Sequence, residues 1–236
     1  MARIWCLLIG YVFGCIQTSY LVGMLQRHID IRNYGSGNSG ATNAIRVLGT
    51  KTGLLCMAGD IAKGILALLV SSAIFGYSHK YLLLYTGIGA VLGHNFPFFM
   101  QWRGGKGVAV TIGIMAFMDW RILLIAGIPA LIVLAVTRYM SAASLLFVTL
   151  FPIFTAVFYL GGPNGLETVL LSLFFTVMIY IKHKDNIKRL RNGTERKVGE
   201  KAEGVPDTGA TAGTTVNKTA GTTGNKTANT SEKEEE

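Results

Sequence analysis

Long apolar runs separated by short polar islands dominate the chain. Seven runs, at about 4–25, 53–77, 80–100, 105–119, 121–138, 141–161 and 165–182, are apolar on every side rather than along one helical stripe. A helix rising 1.5 Å per residue needs about 20 apolar residues to cross a hydrocarbon core of about 30 Å. In lipid such runs become helices, because an open strand edge leaves backbone groups unsatisfied there. The pattern predicts an all-α integral membrane protein of about seven transmembrane helices, with short interfacial helices in the loops. The fourth and fifth runs are short, and Asp119, Trp120 and Arg121 interrupt what is otherwise one long run. Whether that stretch crosses once or twice decides the side on which everything after it lies.

Composition agrees with the membrane class. Half of the 236 residues are hydrophobic, and only 15% are charged, against roughly 25% in soluble domains. Cys6, Cys15 and Cys56 sit in apolar runs without metal-ligand spacing and read as small buried hydrophobes. The first run is longer than the apolar region of a signal peptide and lacks a clear cleavage site, so it reads as a retained anchor.

The net charge of +9 is unevenly placed. Segments 26–52 and 101–106, Arg138 and the stretch Lys182 to Lys197 share one side of the predicted topology and carry fourteen Lys and Arg, against Arg3, Lys80 and Arg121 on the other. Cytoplasmic loops carry the excess of Lys and Arg. The N-terminus is therefore expected outside and the C-terminus in the cytoplasm. In this setting the charge reports orientation and anionic ligands, and no nucleic-acid partner is expected. From Gly199 to Glu236 the sequence turns polar and nearly repetitive, rich in Gly, Thr and Asn. It is expected to be a disordered cytoplasmic tail, following a membrane domain over 1–198. The sequons at Asn217 and Asn225 lie on the side where glycosylation is not expected.

Three polar islands fall on the predicted cytoplasmic side. The first, GSGNSGATNAIRVLG from Gly35 to Gly49, is a glycine-rich turn entering a short helix. Such a turn aims backbone N–H groups at an anion. Ser36, Ser39, Thr42 and Asn43 add hydrogen bonds, and Arg46 offers a planar fork that matches phosphate. The second island, GHNFPFFMQWRGGKGVA from Gly93 to Ala109, joins freely turning backbone at Gly104, Gly105 and Gly107 to the cation Lys106. It is no Walker A loop, because position 100 is Met and Gly107 follows the lysine where Ser or Thr belongs. His94 reads as a core histidine. The third island, IKHKDNIKRLRNGTERKVG from Ile181 to Gly199, carries His183 and Asn186 three residues apart on one helix face. Within the second run, Asp60 and Lys63 stand at pairing distance and read as a structural ion pair. A phosphate-holding site at the mouth of an apolar bundle points to a substrate with a phosphate head and a lipid tail.

Together the three islands resemble the three signature motifs of the bacterial acyl-phosphate:glycerol-3-phosphate acyltransferase family, the PlsY type. The stretch Gly59-Asp60-Ile61-Ala62-Lys63-Gly64 is similar to that family's second-helix pattern. The resemblance spans about 1–199. It implies a bacterial inner-membrane enzyme with its active site at the cytoplasmic face. The 1-hydroxyl of glycerol-3-phosphate would attack the carbonyl of a fatty acyl phosphate, yielding lysophosphatidate and inorganic phosphate, as the first acylation of phospholipid synthesis. Acyl phosphate is an activated donor, so the resemblance implies no metal and no cofactor, and a functional link to the enzyme that makes acyl phosphate. It also implies roles. Ser36 and Arg46 hold a phosphate, with Gly37, Gly40, Thr42 and Asn43 around it. Gly104, Gly105, Lys106 and Gly107 bind glycerol-3-phosphate. His183 and Asn186 flank the reacting groups, His183 as base or as orienter. Asp60, Lys63 and Glu195 are structural, Glu195 tying the last motif to an adjacent cation.

Two rivals remain at this point: a transporter for a phosphorylated solute or lipid, and a lipid-phosphate phosphatase, for which the paired histidines are missing. The sequence also speaks against the other large acyltransferase class, built on a His-x4-Asp motif. Five residues beyond His28, His79, His94 and His183 stand Asn33, Leu84, Phe99 and Lys188.

Overall fold

The computed structural model describes residues 1–200 together with 202 and 205. The tail expected from 199 onward, with Asn217 and Asn225, lies almost wholly outside the described residues. Ten α-helices and two single 3₁₀ turns account for the regular structure described. They are α1 Ala2–Gly14, α2 Thr18–Arg27, α3 Ala41–Leu48, α4 Thr50–Phe75, α5 Lys80–Asn95, α6 Val108–Met118, α7 Trp120–Thr137, α8 Met140–Tyr159, α9 Gly165–Lys182 and α10 Lys184–Arg191. Six stretches are long and apolar enough to cross a membrane, α1 and α2 counting together as one. The protein is an integral membrane protein.

The expected runs need three adjustments. The first is not one helix: residues 15–17 break it into α1 and α2. The third stops being α-helical at Asn95, eleven residues before Lys106. The fourth becomes helix only at Val108, and α6 has 11 residues, roughly 17 Å at the helical rise. A helix so short and apolar all round suits the interior of a bundle. Val110, Thr111, Ile114, Met115 and Met118 of α6 are all buried, chiefly against α4 and α5.

Despite its length α6 runs the depth of the bundle. Its last carbonyls accept from the far ends of α4 and α5, at Tyr77 Oη (3.1 Å to Phe117 O) and Lys80 Nζ (3.0 Å to Met118 O). Asp119 accepts from Tyr159 Oη at 2.7 Å, at the end of α8. Arg3 forks onto Glu167 at 2.8 and 3.0 Å, and Tyr85 Oη donates to the same carboxylate. Residues 3, 77–85, 117–121, 159 and 167 thus share one end. The fourth and fifth runs each traverse the bundle, and the three islands gather at the opposite end.

Apolar side chains gain nothing from leaving lipid, so close backbone approach supplies much of the helix association. α1 and α5 meet through two small-residue pairs. A Cβ on Gly10 or Gly14 would strike the backbone of Thr86 or Ala90, and one on Gly89 or Gly93 the backbone of Leu7 or Tyr11. The main core centres on Leu84, Val91, Ile114, Met115, Phe151 and Phe175.

Candidate active site

A cleft at the island end brings together Ser36, Asn38, Gly40, Thr42, Arg46, Lys106, Gly107, His183, Asn186 and Glu195. The cleft continues into the bundle along Met57, Val108, Ala109, Ile112 and Met140. Its mouth is cationic and polar, and deeper in, these apolar side chains share the lining with Asp60, His94 and Ser144.

The first island is built on α3. Its Ala44, Val47 and Leu48 face a small satellite core with Ile29, Ile31 and Cys56, which turns Thr42 and Arg46 toward the cleft. Asn43, expected to hydrogen-bond a ligand, lines the cleft and has a second task. It is 1% exposed. Its amide donates to Ile31 O and Tyr34 O, and its oxygen accepts from Ser36 N at 2.9 Å. Asn43 holds the loop that carries Ser36. Among the described residues, the Arg46 side chain has one hydrogen bond, from Nη2 to Arg196 O at 3.4 Å, and its buried Nε has no partner. Burial and the nearby Arg196 lower its pKa. A buried guanidinium N–H without an acceptor carries a desolvation cost that an anion removes.

The second island corrects the reason for two glycines. Gly104 and Gly105 do not line the cleft. A Cβ on Gly104 would strike His94 O, and one on Gly105 would land on the His94 imidazole. His94 is itself fixed, with Nδ1 2.8 Å from Lys63 Nζ. The glycines are needed for protein packing, which then delivers Lys106 to the cleft. Gly107 does line it and opens α6 with φ of +85°, a left-handed backbone that favours glycine. Lys106 Nζ donates to Asn186 Oδ1. Burial, then the nearby Arg189, push its pKa down to about 8.

The third island follows the last span. His183 caps α9 and is 3% exposed, with Nδ1 2.8 Å from Ile179 O. Donation of Nδ1–H to that carbonyl leaves Nε2 as the free acceptor. Burial and the neighbouring Lys106 hold the pKa near 4, so the ring is neutral at pH 7. Glu195 is the hub. Its Oε1 accepts from Asn186 Nδ2 (2.7 Å) and Ser141 Oγ (2.9 Å), and its Oε2 from Arg189 Nε (2.7 Å). These donors hold its carboxyl below the usual range despite burial. The expected tie to a cation is present, and Glu195 lines the cleft as well.

Asp60 and Lys63 pair at 2.9 Å, both essentially buried. Asp60 lines the cleft and Lys63 does not. Gly37, on the exposed outer turn, does not line it either. Sequence reasoning missed Ser141 and Gln17, since a polar residue in an apolar run carries no periodic signal, and undervalued His94.

Residues 4–193 match the family described as glycerol-3-phosphate acyltransferase. The chain belongs to this family. The glycerol-3-phosphate acyltransferase of Halalkalibacterium halodurans is 39% identical over 200 residues, 84% of this chain and 97% of the relative. That of a Thermoanaerobacter species is 38% identical over 196 residues, 83% and 96% of the two chains. The crystal structure of PlsY, an integral membrane glycerol 3-phosphate acyltransferase, in its glycerol 3-phosphate form superposes with a TM-score of 0.75 at 32% identity, covering 84% of this chain and 96% of that one. Its lysophosphatidic acid form gives 0.73 at 30% identity, over 84% and 95%. The cleft is thus that of a glycerol-3-phosphate acyltransferase of the PlsY type, and the transporter and phosphatase readings fall away.

Proposed function

We propose that this acyltransferase moves a fatty acyl group from acyl phosphate to the 1-hydroxyl of glycerol-3-phosphate at the cytoplasmic face of a bacterial inner membrane. The observation that carries the reading is the meeting of Arg46, with its unpartnered Nε, and Lys106 at the mouth of an apolar trough. Two phosphates and one acyl chain fit that polarity. Ser36, Arg46 and the backbone at the start of α3 hold the donor's phosphate, and its chain follows Met57, Ala109 and Ile112. Lys106 and the backbone at Gly107 hold the acceptor's phosphate. In the reaction the hydroxyl oxygen bonds to the carbonyl carbon, the bond from that carbon to the phosphate oxygen breaks, and inorganic phosphate leaves.

The hydroxyl's proton goes to the leaving phosphate. An imidazole with a pKa near 4 is a weak acceptor at pH 7, whereas phosphate monoesters titrate at about 6. His183 Nε2 instead accepts the hydroxyl's hydrogen bond and orients it, while Asn186, held by Glu195, steadies Lys106. Arg46 and Lys106 stabilise the charge that develops on the oxygens. The fourteen cations sharing the site's end support a cytoplasmic site with the N-terminus outside. The substrate implies an enzyme supplying acyl phosphate. The tail beyond Val205 takes no part, so a chain ending there turns over as fast as the whole.

Purified protein should release phosphate from palmitoyl phosphate only when glycerol-3-phosphate is added. Release without the acceptor refutes transfer in favour of hydrolysis, and no release under either condition refutes the donor assignment.

A further inference from the structure

The break between α1 and α2 carries a glutamine where neither packing nor helix termination needs one. Gln17 is 1% exposed, and both ends of its amide are engaged. Nε2 donates to His94 O at 3.1 Å and stands 3.4 Å from Gly14 O, while Oε1 accepts from Ser39 Oγ at 3.0 Å. His94 O is the same oxygen that accepts from Gly105 N at 2.9 Å. Ser39 is also 1% exposed, and its chain neighbours Asn38 and Gly40 line the cleft. One side chain therefore bridges the loop that carries Ser36 to the loop that carries Lys106. The other links between these loops are a long contact, Asn38 Nδ2 to Gly104 O at 3.4 Å, and a bond at the rim, Arg32 Nη1 to Met100 O at 2.9 Å. The break also frees Ile16 O to accept from Lys63 Nζ, which stands beside both Asp60 and His94 Nδ1. Adjacent residues of the break thus brace His94 from two sides.

We propose that Gln17 is a positioning residue that sets the spacing between the two phosphate-holding loops and so tunes affinity for glycerol-3-phosphate. An amide buried this deeply is costly unless its partners are present, and here its two shorter bonds go to Ser39 of one loop and to His94 O, which supports the other. The donor's chain lies along α4, α6 and α8, away from this strut, and Asn43 holds the donor-phosphate loop independently at Ser36 N. The strut's effect falls on the acceptor. The inference rests on the reading that the second loop binds the acceptor.

The test uses the full chain in detergent, with palmitoyl phosphate and glycerol-3-phosphate. Gln17→Met keeps length and removes the hydrogen bonds. With these bonds lost, the KM for glycerol-3-phosphate should rise roughly tenfold, with kcat and the KM for palmitoyl phosphate changed less than about twofold. Ser39→Ala should give a smaller rise, and the double variant no more than Gln17→Met alone, because both act through one strut. A lowered Tm with unchanged KM values would assign Gln17 a purely structural role and overturn the proposal, and so would full additivity of the two changes. Should Gln17→Met fail to fold, an unchanged acceptor KM in Ser39→Ala overturns it as well. Lys106→Ala separates the two readings. If it leaves the acceptor KM in place, the acceptor site itself is misassigned. If it raises that KM while Gln17→Met does not, only the strut fails.

Discussion

Gly105→Ala puts one methyl group where the His94 ring already is. The built Cβ would lie inside contact distance of Nε2, and 2.7 and 2.9 Å from Cε1 and Cδ2. Neither side yields easily. The ring is held at Nδ1 by Lys63, and Gly105 N by His94 O. Overpacking of this kind costs about 1–3 kcal/mol, and the loop is the softer partner. If the shift displaces Lys106, the same energy appears as weaker acceptor binding, roughly 5- to 150-fold in KM. Steady-state phosphate release at saturating palmitoyl phosphate, with glycerol-3-phosphate varied, reads this directly. The expected result is a KM raised within that range and a kcat that falls less. The cause is checked by repeating the substitution in a His94→Ala background, where the ring is gone and the penalty should shrink below about threefold. An acceptor KM unmoved by Gly105→Ala in folded protein refutes the reasoning. A penalty equally large without the imidazole refutes the collision and restores direct crowding of the ligand.

Three further outcomes are expected. The pKa of Lys106 near 8 lies well below that of an ordinary lysine, so the cation is lost as pH rises through 8. A plot of kcat/KM for glycerol-3-phosphate against pH should fall above about 8, and Lys106→Arg, if active, should move that limb upward because guanidinium stays protonated; a limb unaffected by Lys106→Arg belongs to another group. Arg46→Lys keeps the charge but loses the fork, and should lower kcat at least roughly tenfold, the value of about 1.4 kcal/mol for one charge-assisted bond, with Tm unchanged; full activity in this variant removes Arg46 from the phosphate site. Ile112→Trp narrows the apolar trough and should shorten the preferred acyl chain in a competition between decanoyl and palmitoyl phosphate, an outcome contradicted by an unaltered preference.

The apolar runs made the membrane architecture legible, because lipid forces such runs into helices. The three islands were legible because glycine beside Arg or Lys is rare in such a chain. Arg46, Lys106, His183 and Asn186 do meet in one cleft. The sequence could not reveal whether a residue faces the ligand or the protein. Gly105 carries the composition of a ligand site yet serves the loop's own packing, Asn43 both lines the cleft and holds its loop, and spacing cannot distinguish these roles. The helix break at 15–17 was also hidden, since Gly14, Cys15, Ile16 and Gln17 only dilute an apolar run. Gln17 acquires meaning from His94 and Ser39, 77 and 22 residues away. Glu195 looked like a partner for a single cation, and its bonds to Ser141 and Asn186 depend on how α8 and α10 dock.

The hub at Glu195 also bears on biosynthesis. Lys106 leans on Asn186, Asn186 on Glu195, and Glu195 on Ser141, so the two later islands close on each other only when residues near the end of the membrane domain arrive. A ribosome still threading α8 or α9 into the bilayer carries a chain that already has Ser36, Arg46 and Lys106 but lacks the groups that steady them. Such unfinished chains should be catalytically silent, and the cell meets a working enzyme only once translation has passed residue 195.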